Sequence, residues 1–116
     1  MTINEYQKEA LRTANVMDNE TDNYIRHNVR PMLINGVMGM NGEAGECIDL
    51  IKKTLFQGHE LDEEHLAEEL GDVAWYLAVS AAAIGCSLEY ILKKNVEKLQ
   101  KRYPNGFESE RSINRE

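Results

Sequence analysis

Glu43-Ala-Gly-Glu46 and Glu69-Leu-Gly-Asp72 each set two carboxylates three residues apart. On a helix, residues at i and i+3 share a face, so each segment offers one pair of acids. Apolar residues flank both pairs: Cys47, Ile48, Leu50 and Ile51 beside the first, Leu70, Val73 and Ala74 beside the second. Four carboxylates gathered next to apolar surface repel one another and lose hydration; unless they take up protons, they need a cation. The donors are all oxygen, which suits Mg²⁺, with Mn²⁺ as a substitute. Neither Cys nor His is spaced to complete a zinc site. Mg²⁺ keeps several waters and takes substrate phosphates as further ligands, so the indicated chemistry is hydrolysis of a phosphate ester or phosphoanhydride. Two rival readings stand beside this one. The acids could be ordinary solvated helix-face residues, or a ferritin-like di-iron set. The second needs Glu-x-x-His on two helices, whereas here the pairs are Glu-x-x-Glu and Glu-x-x-Asp.

The pairs can meet only if their helices are antiparallel neighbours. The connection at 57–61 is short enough to impose that. With a rise of 1.5 Å per residue, Glu46 lies roughly 15 Å from the end of its helix near Phe56. Asp72 lies roughly 15 Å from the start of the next helix near Asp62, so the two pairs reach similar depth. The first of these helices should begin at Pro31, where a missing amide costs little. It carries Gly36, Gly39, Gly42 and Gly45 at intervals of three. Each costs roughly 1 kcal/mol against Ala in a helix interior. Either they form a small-residue stripe for close helix packing, or residues 32–40 are partly irregular. Asp62 caps the next helix, which runs to Ile84 and stops at Gly85. Its second half is apolar nearly all round, as a buried central helix would be.

Elsewhere, Thr2 and Glu5 form a capping box for a helix reaching about Val16, with Ile3, Tyr6, Ala10 and Val16 as buried positions. Residues 17–30 are polar and read as a loop, with a helical turn expected near 24–27. Ser87 caps a last main helix ending near Tyr103, and residues 107–116 read as a loose tail. The expected fold is all-α: a single domain over 1–116, with its core in about 32–103. It is a bundle of four main helices with an antiparallel central pair, completed by homo-oligomerisation into a dimer or tetramer.

A net charge of −7 argues against a nucleic-acid partner. In so acidic a chain, phosphate binding needs a bridging metal or a local cluster of Lys and Arg. No secretory signal and no run of roughly 20 apolar residues is present, so no membrane partner is expected. The two cysteines make no paired motif, which fits a reducing, cytoplasmic setting.

GEAGECIDLIKK, then EELGDVAWYLA, then KNVEKLQKRYPNGF, in that order, resemble the MazG-like branch of the all-alpha nucleoside triphosphate pyrophosphohydrolases. The resemblance covers about residues 36–107. It implies a helical bundle assembled as dimers or dimers of dimers. It also implies cleavage of (deoxy)nucleoside triphosphates between the α- and β-phosphates, yielding monophosphate and pyrophosphate in a nucleotide-pool role. The family's carboxylate motif maps onto Glu43, Glu46, Glu69 and Asp72 as metal and catalytic residues. Where many relatives carry a further Glu, this chain has Gly42. The related phosphoribosyl-ATP pyrophosphohydrolase activity and a non-catalytic helical interaction module are the alternatives.

Lys53 lies two turns beyond Glu46 on nearly the same face, and is a candidate for substrate phosphates. Lys52 points elsewhere. Asn95, Lys98 and Arg102 form a polar stripe at i, i+3 and i+7; the resemblance marks Asn95 and Lys98 as substrate-binding, although basic residues there also complement a helix dipole. Tyr103 is expected to cover the site or simply pack. Trp75 reads as a core residue, with stacking on a base as the alternative for it and Tyr76. His59 and Cys47 receive no chemical role.

Overall fold

Local sequence chemistry places the helix starts. In the computed structural model, which describes residues 1–14 and 31–115, α1 spans Ile3–Leu11. Thr2 Oγ1 accepts from the Glu5 amide at 3.1 Å, and Glu5 returns its carboxylate to the Thr2 amide at 2.8 Å. Helix α2 spans Pro31–Phe56, α3 Glu63–Ala83 and α4 Leu88–Arg102. Asp62 caps α3 through the His65 amide at 3.0 Å, and Ser87 caps α4 through the Tyr90 amide at 3.1 Å. Gly58 and Gly85 take φ of 72° and 74°, letting the chain reverse after α2 and α3 at positions that strain other residues. The described residues are all-helical, and no single helix among them is long and apolar enough to cross a membrane.

Helix α2 is continuous from Pro31, so residues 32–40 are not irregular. Gly36 faces Ser80 and Gly39 faces the Tyr76 ring; a Cβ at either would fall 2.3 Å from Ser80 Oγ or 2.1 Å from Tyr76 Cε1. These two glycines let α2 lie close against α3. Gly42 and Gly45 have nothing within 4 Å and serve no such contact. Along the pair, 36 meets 80 and 39 meets 76.

The core sits where α1, α3 and the start of α4 meet. Ala10, Ala78 and Leu88 are buried there, with Tyr6 and Trp75 packed against them. Gln7 joins the three helices. Its Nε2 donates to the carbonyls of Ala78 and Cys86 at 3.2 and 3.1 Å, and its Oε1 accepts from the Leu88 amide at 3.0 Å. A buried amide with all these bonds made is stable; the same group unpaired would not be.

Three expectations change. Ile3 is exposed, because it lies in the outer turn of α1 beside Leu92 and Val96 rather than over the core. Helix α1 ends at Leu11, and Val16 and the loop at 17–30 lie outside the described residues. The tail is not wholly loose: α5 forms at Ser109–Ile113. It is held there by Arg111, which donates to the Arg102 carbonyl at 3.3 Å and pairs with Glu108 at 3.8 Å.

Candidate metal centre

The close approach of α2 to α3 continues past Gly39 into a cluster of acids. Glu43 from α2 meets Glu69 and Asp72 from α3, with one carboxylate oxygen of each within 4.8 Å of the others. Glu43 and Glu69 are half-buried and Asp72 is exposed. A hydrogen bond to Glu69 pushes the Glu43 carboxyl above the usual carboxylate range; partial desolvation and the charges of Glu69, Asp72 and Glu46 push it the same way. Two carboxyls that share a hydrogen bond must share a proton, which is how such a cluster relieves repulsion without a cation.

Glu46, expected as the fourth ligand, stands outside this group and is exposed. Three residues of helix carry it about 4.5 Å along the axis and roughly 60° around it. That rotation leaves it beside the cluster, where its charge still reaches Glu43 and Lys53.

A cavity of about 360 Å³ opens beside the acids, lined by Thr13, Glu43, Asp72, Trp75 and Tyr76. Trp75 donates its indole N–H to Thr13 Oγ1 at 2.9 Å and meets Tyr76 edge-on at 4.9 Å. Trp75 thus both packs on the core and walls the cavity. Burial raises the Tyr6 phenol above its ordinary range, and the charge of Asp72 adds to the effect, so α1 also borders the acids. His65 Nε2 lies 3.1 Å from Glu69 Oε1 and fixes that carboxylate from one turn back. His65 was findable from sequence, since it precedes Glu69 by four residues on a helix. Tyr6 and Thr13 were not, because only the tertiary fold brings α1 here.

The lysine and α4 candidates lie elsewhere. Lys53 Nζ pairs with Asp49 at 2.9 Å, and Lys52 reaches the same carboxylate at 3.4 Å. The lysines hold Asp49 below the usual carboxylate range, and Asp49 raises Lys53. Asp49 escaped the sequence reading, although it sits at i, i+3 and i+4 from both lysines. Asn95 is exposed, and Lys98 lines a separate groove with Lys101 and Arg102. None of Lys53, Asn95 and Lys98 lines the cavity beside the acids. Tyr103 packs on Phe107, with ring centroids 5.3 Å apart.

Comparisons with known proteins point to one family. A model of the MazG nucleotide pyrophosphohydrolase domain matches residues 36–107, which includes every acid in the cluster. The Gene 37 protein of Mycobacterium phage L5 is 37% identical over 73 residues, covering 60% of this chain and 64% of that protein. The chain therefore spans just under two thirds of that relative's length. No solved structure matches the chain.

Proposed function

The chain belongs to the MazG nucleotide pyrophosphohydrolase family, and from that premise we propose that it hydrolyses (deoxy)nucleoside triphosphates to nucleoside monophosphate and pyrophosphate, with Mg²⁺ bound by its acids. The observation that carries the reading is the convergence of Glu43, Glu69 and Asp72 from two adjacent helices to within 4.8 Å.

The donor set fits a hard divalent ion. It is all oxygen, compact and negative, and the neighbouring acids push the Glu43 carboxyl above the usual carboxylate range. Glu43, Glu69 and Asp72 would hold the ion, with Glu46 one turn on completing the acidic rim. When bound, the metal supplies a Lewis acid that polarises a phosphoryl oxygen. His65 keeps Glu69 aimed at the cluster. Trp75 and Tyr76 offer aromatic surface to the nucleotide base. The bond broken joins the α- and β-phosphates, and the elements of water divide between the two products. Lys53 and Lys98 would offset the phosphate charge, and Asn95 would hydrogen-bond to the nucleotide. Since none of the three lines the cavity beside the acids, we assign the part of Asn95 and Lys98 to α4 of a second copy, with a homo-oligomer as the acting form. The setting is cytoplasmic nucleotide-pool housekeeping.

The test is a panel of (d)NTPs with Mg²⁺, products resolved by anion exchange. Pyrophosphate and monophosphate should appear, chelator should stop the reaction, and Glu69→Gln or Asp72→Asn should lower kcat/KM on the order of 100-fold. Orthophosphate as the only product, or activity indifferent to these changes, would overturn the reading.

A further inference from the structure

A groove of about 750 Å³ runs between the end of α4 and the C-terminal segment. Lys98, Lys101 and Arg102 line it from α4, and Arg111 and Arg115 from the other side. Lys98 and Arg102 are four residues apart on one helix, so they lie on one face, and Lys101 flanks them. Arg111 and Arg115 repeat the same interval in the segment opposite. Five cations thus face one another, with Glu108 and Glu110 as the only acids of the lining among the described residues. In a chain of net charge −7, this concentration of positive charge runs against the average.

Pairing within the protein does not account for it. Arg111 pairs with Glu108 and anchors α5 on the Arg102 carbonyl. Among the described residues, the side chains of Lys98, Lys101, Arg102 and Arg115 take no carboxylate partner. Cations held close without counter-charges repel, and an anion relieves them. Guanidinium groups bind phosphate oxygens two at a time, and lysines add point charge. The groove is far larger than one phosphate and shares no residue with the cavity beside the acids. Five of its eight lining residues lie beyond residue 107, outside the family match.

We infer that this groove binds a polyphosphate chain directly, without a metal, and that Arg111 and Arg115 of the C-terminal segment are essential to it. The proposal shares Lys98 with the proposed function but does not depend on hydrolysis. A nucleoside triphosphate and free pyrophosphate carry the same recognisable group.

The probe is inorganic tripolyphosphate, titrated calorimetrically into the full chain in excess EDTA. Saturable binding should appear, weaken as salt rises, and fall about tenfold or more in the Arg111→Gln/Arg115→Gln variant. Arg115→Gln alone should weaken it too, and since Arg115 makes no hydrogen bond or ion pair among the described residues, that variant separates lost binding from lost folding. Asp72→Asn should leave this binding intact. Adding ATP and pyrophosphate as competitors identifies which source binds better. Three results would overturn the inference: no binding beyond that of sulfate at equal ionic strength, equal loss in Asp72→Asn, or tighter binding of a single-stranded oligonucleotide than of tripolyphosphate. Because chelator removes the metal, none of these outcomes depends on whether the acids support turnover.

Discussion

Glu43 carries the main pH dependence of the acid cluster. Its carboxyl binds a proton more tightly in the folded chain than in the unfolded one, because Glu69 shares that proton and the neighbouring acids repel its charge. A raised carboxyl contributes stability at low pH, and that contribution is lost as pH rises through the raised value. In EDTA, the melting temperature should therefore decline as pH climbs above the ordinary carboxylate range, and Glu43→Gln should flatten the decline. Mg²⁺ should act oppositely, raising the melting temperature more at neutral than at acid pH, because a ligand must be deprotonated. A slope that persists unchanged in Glu43→Gln would show that another group is responsible. At this scale the sequence was informative where spacing along one helix decides geometry. Glu69 and Asp72 share a face as i, i+3 residues must, and they meet Glu43 as the short connection requires. Glu46 stands outside the group although it is spaced from Glu43 as Asp72 is from Glu69, so i, i+3 spacing alone does not decide which acids converge between helices. Lys53 differs for another reason: Asp49, one turn back on the same helix, pairs with it at 2.9 Å.

Helices and their contacts show the same division between local and distant causes. The starts of α1, α3 and α4 were legible in Thr2, Asp62 and Ser87, since each cap bonds an amide three residues away. Gln7 was not legible, because all three of its partners are more than seventy residues distant. It sits at 8% exposure, so its removal takes a partner from the Leu88 amide and from the Ala78 and Cys86 carbonyls at a buried junction. Gln7→Ala should cost about 2–3 kcal/mol, measured by urea unfolding of the metal-free protein. The glycines of α2 give a paired prediction. Gly45→Ala meets open space and should gain about 0.5–1 kcal/mol from helix propensity. Gly36→Ala should lose about 1–3 kcal/mol despite the same propensity gain, because its Cβ would meet the backbone of Ser80 at 3.3 Å as well as the hydroxyl. If both variants moved stability in the same direction, the close approach of α2 to α3 would not hold in solution.

For the molecule as a whole, the imbalance between core and surface is decisive. Among the described residues only six apolar side chains are buried, and the largest fully buried one is Val79. Meanwhile Ile48, Leu55, Phe56 and Leu70 are 69%, 68%, 80% and 56% exposed. On α2, Ile48, Ile51 and Leu55 fall at i, i+3 and i+7, so they make one apolar face, turned from Glu43 by roughly 80–140°. Exposed apolar surface of that continuity marks an interface in a protein that folds in water. A second copy is the occupant that the small core favours, and burying a few such side chains stabilises by about 1.5–3 kcal/mol each. Light scattering behind gel filtration should therefore give a mass that is a multiple of 13.2 kDa. Ile48→Asp should shift it toward the single chain, lower the melting temperature, and weaken the concentration dependence of melting that linked assembly and folding give the parent chain. If Asn95 and Lys98 act on substrate from the second copy, the same substitution should depress kcat/KM without touching a single acid of the cluster. A monomer of full activity and undiminished stability would show instead that each chain works alone, and that α4 has no part in holding the nucleotide.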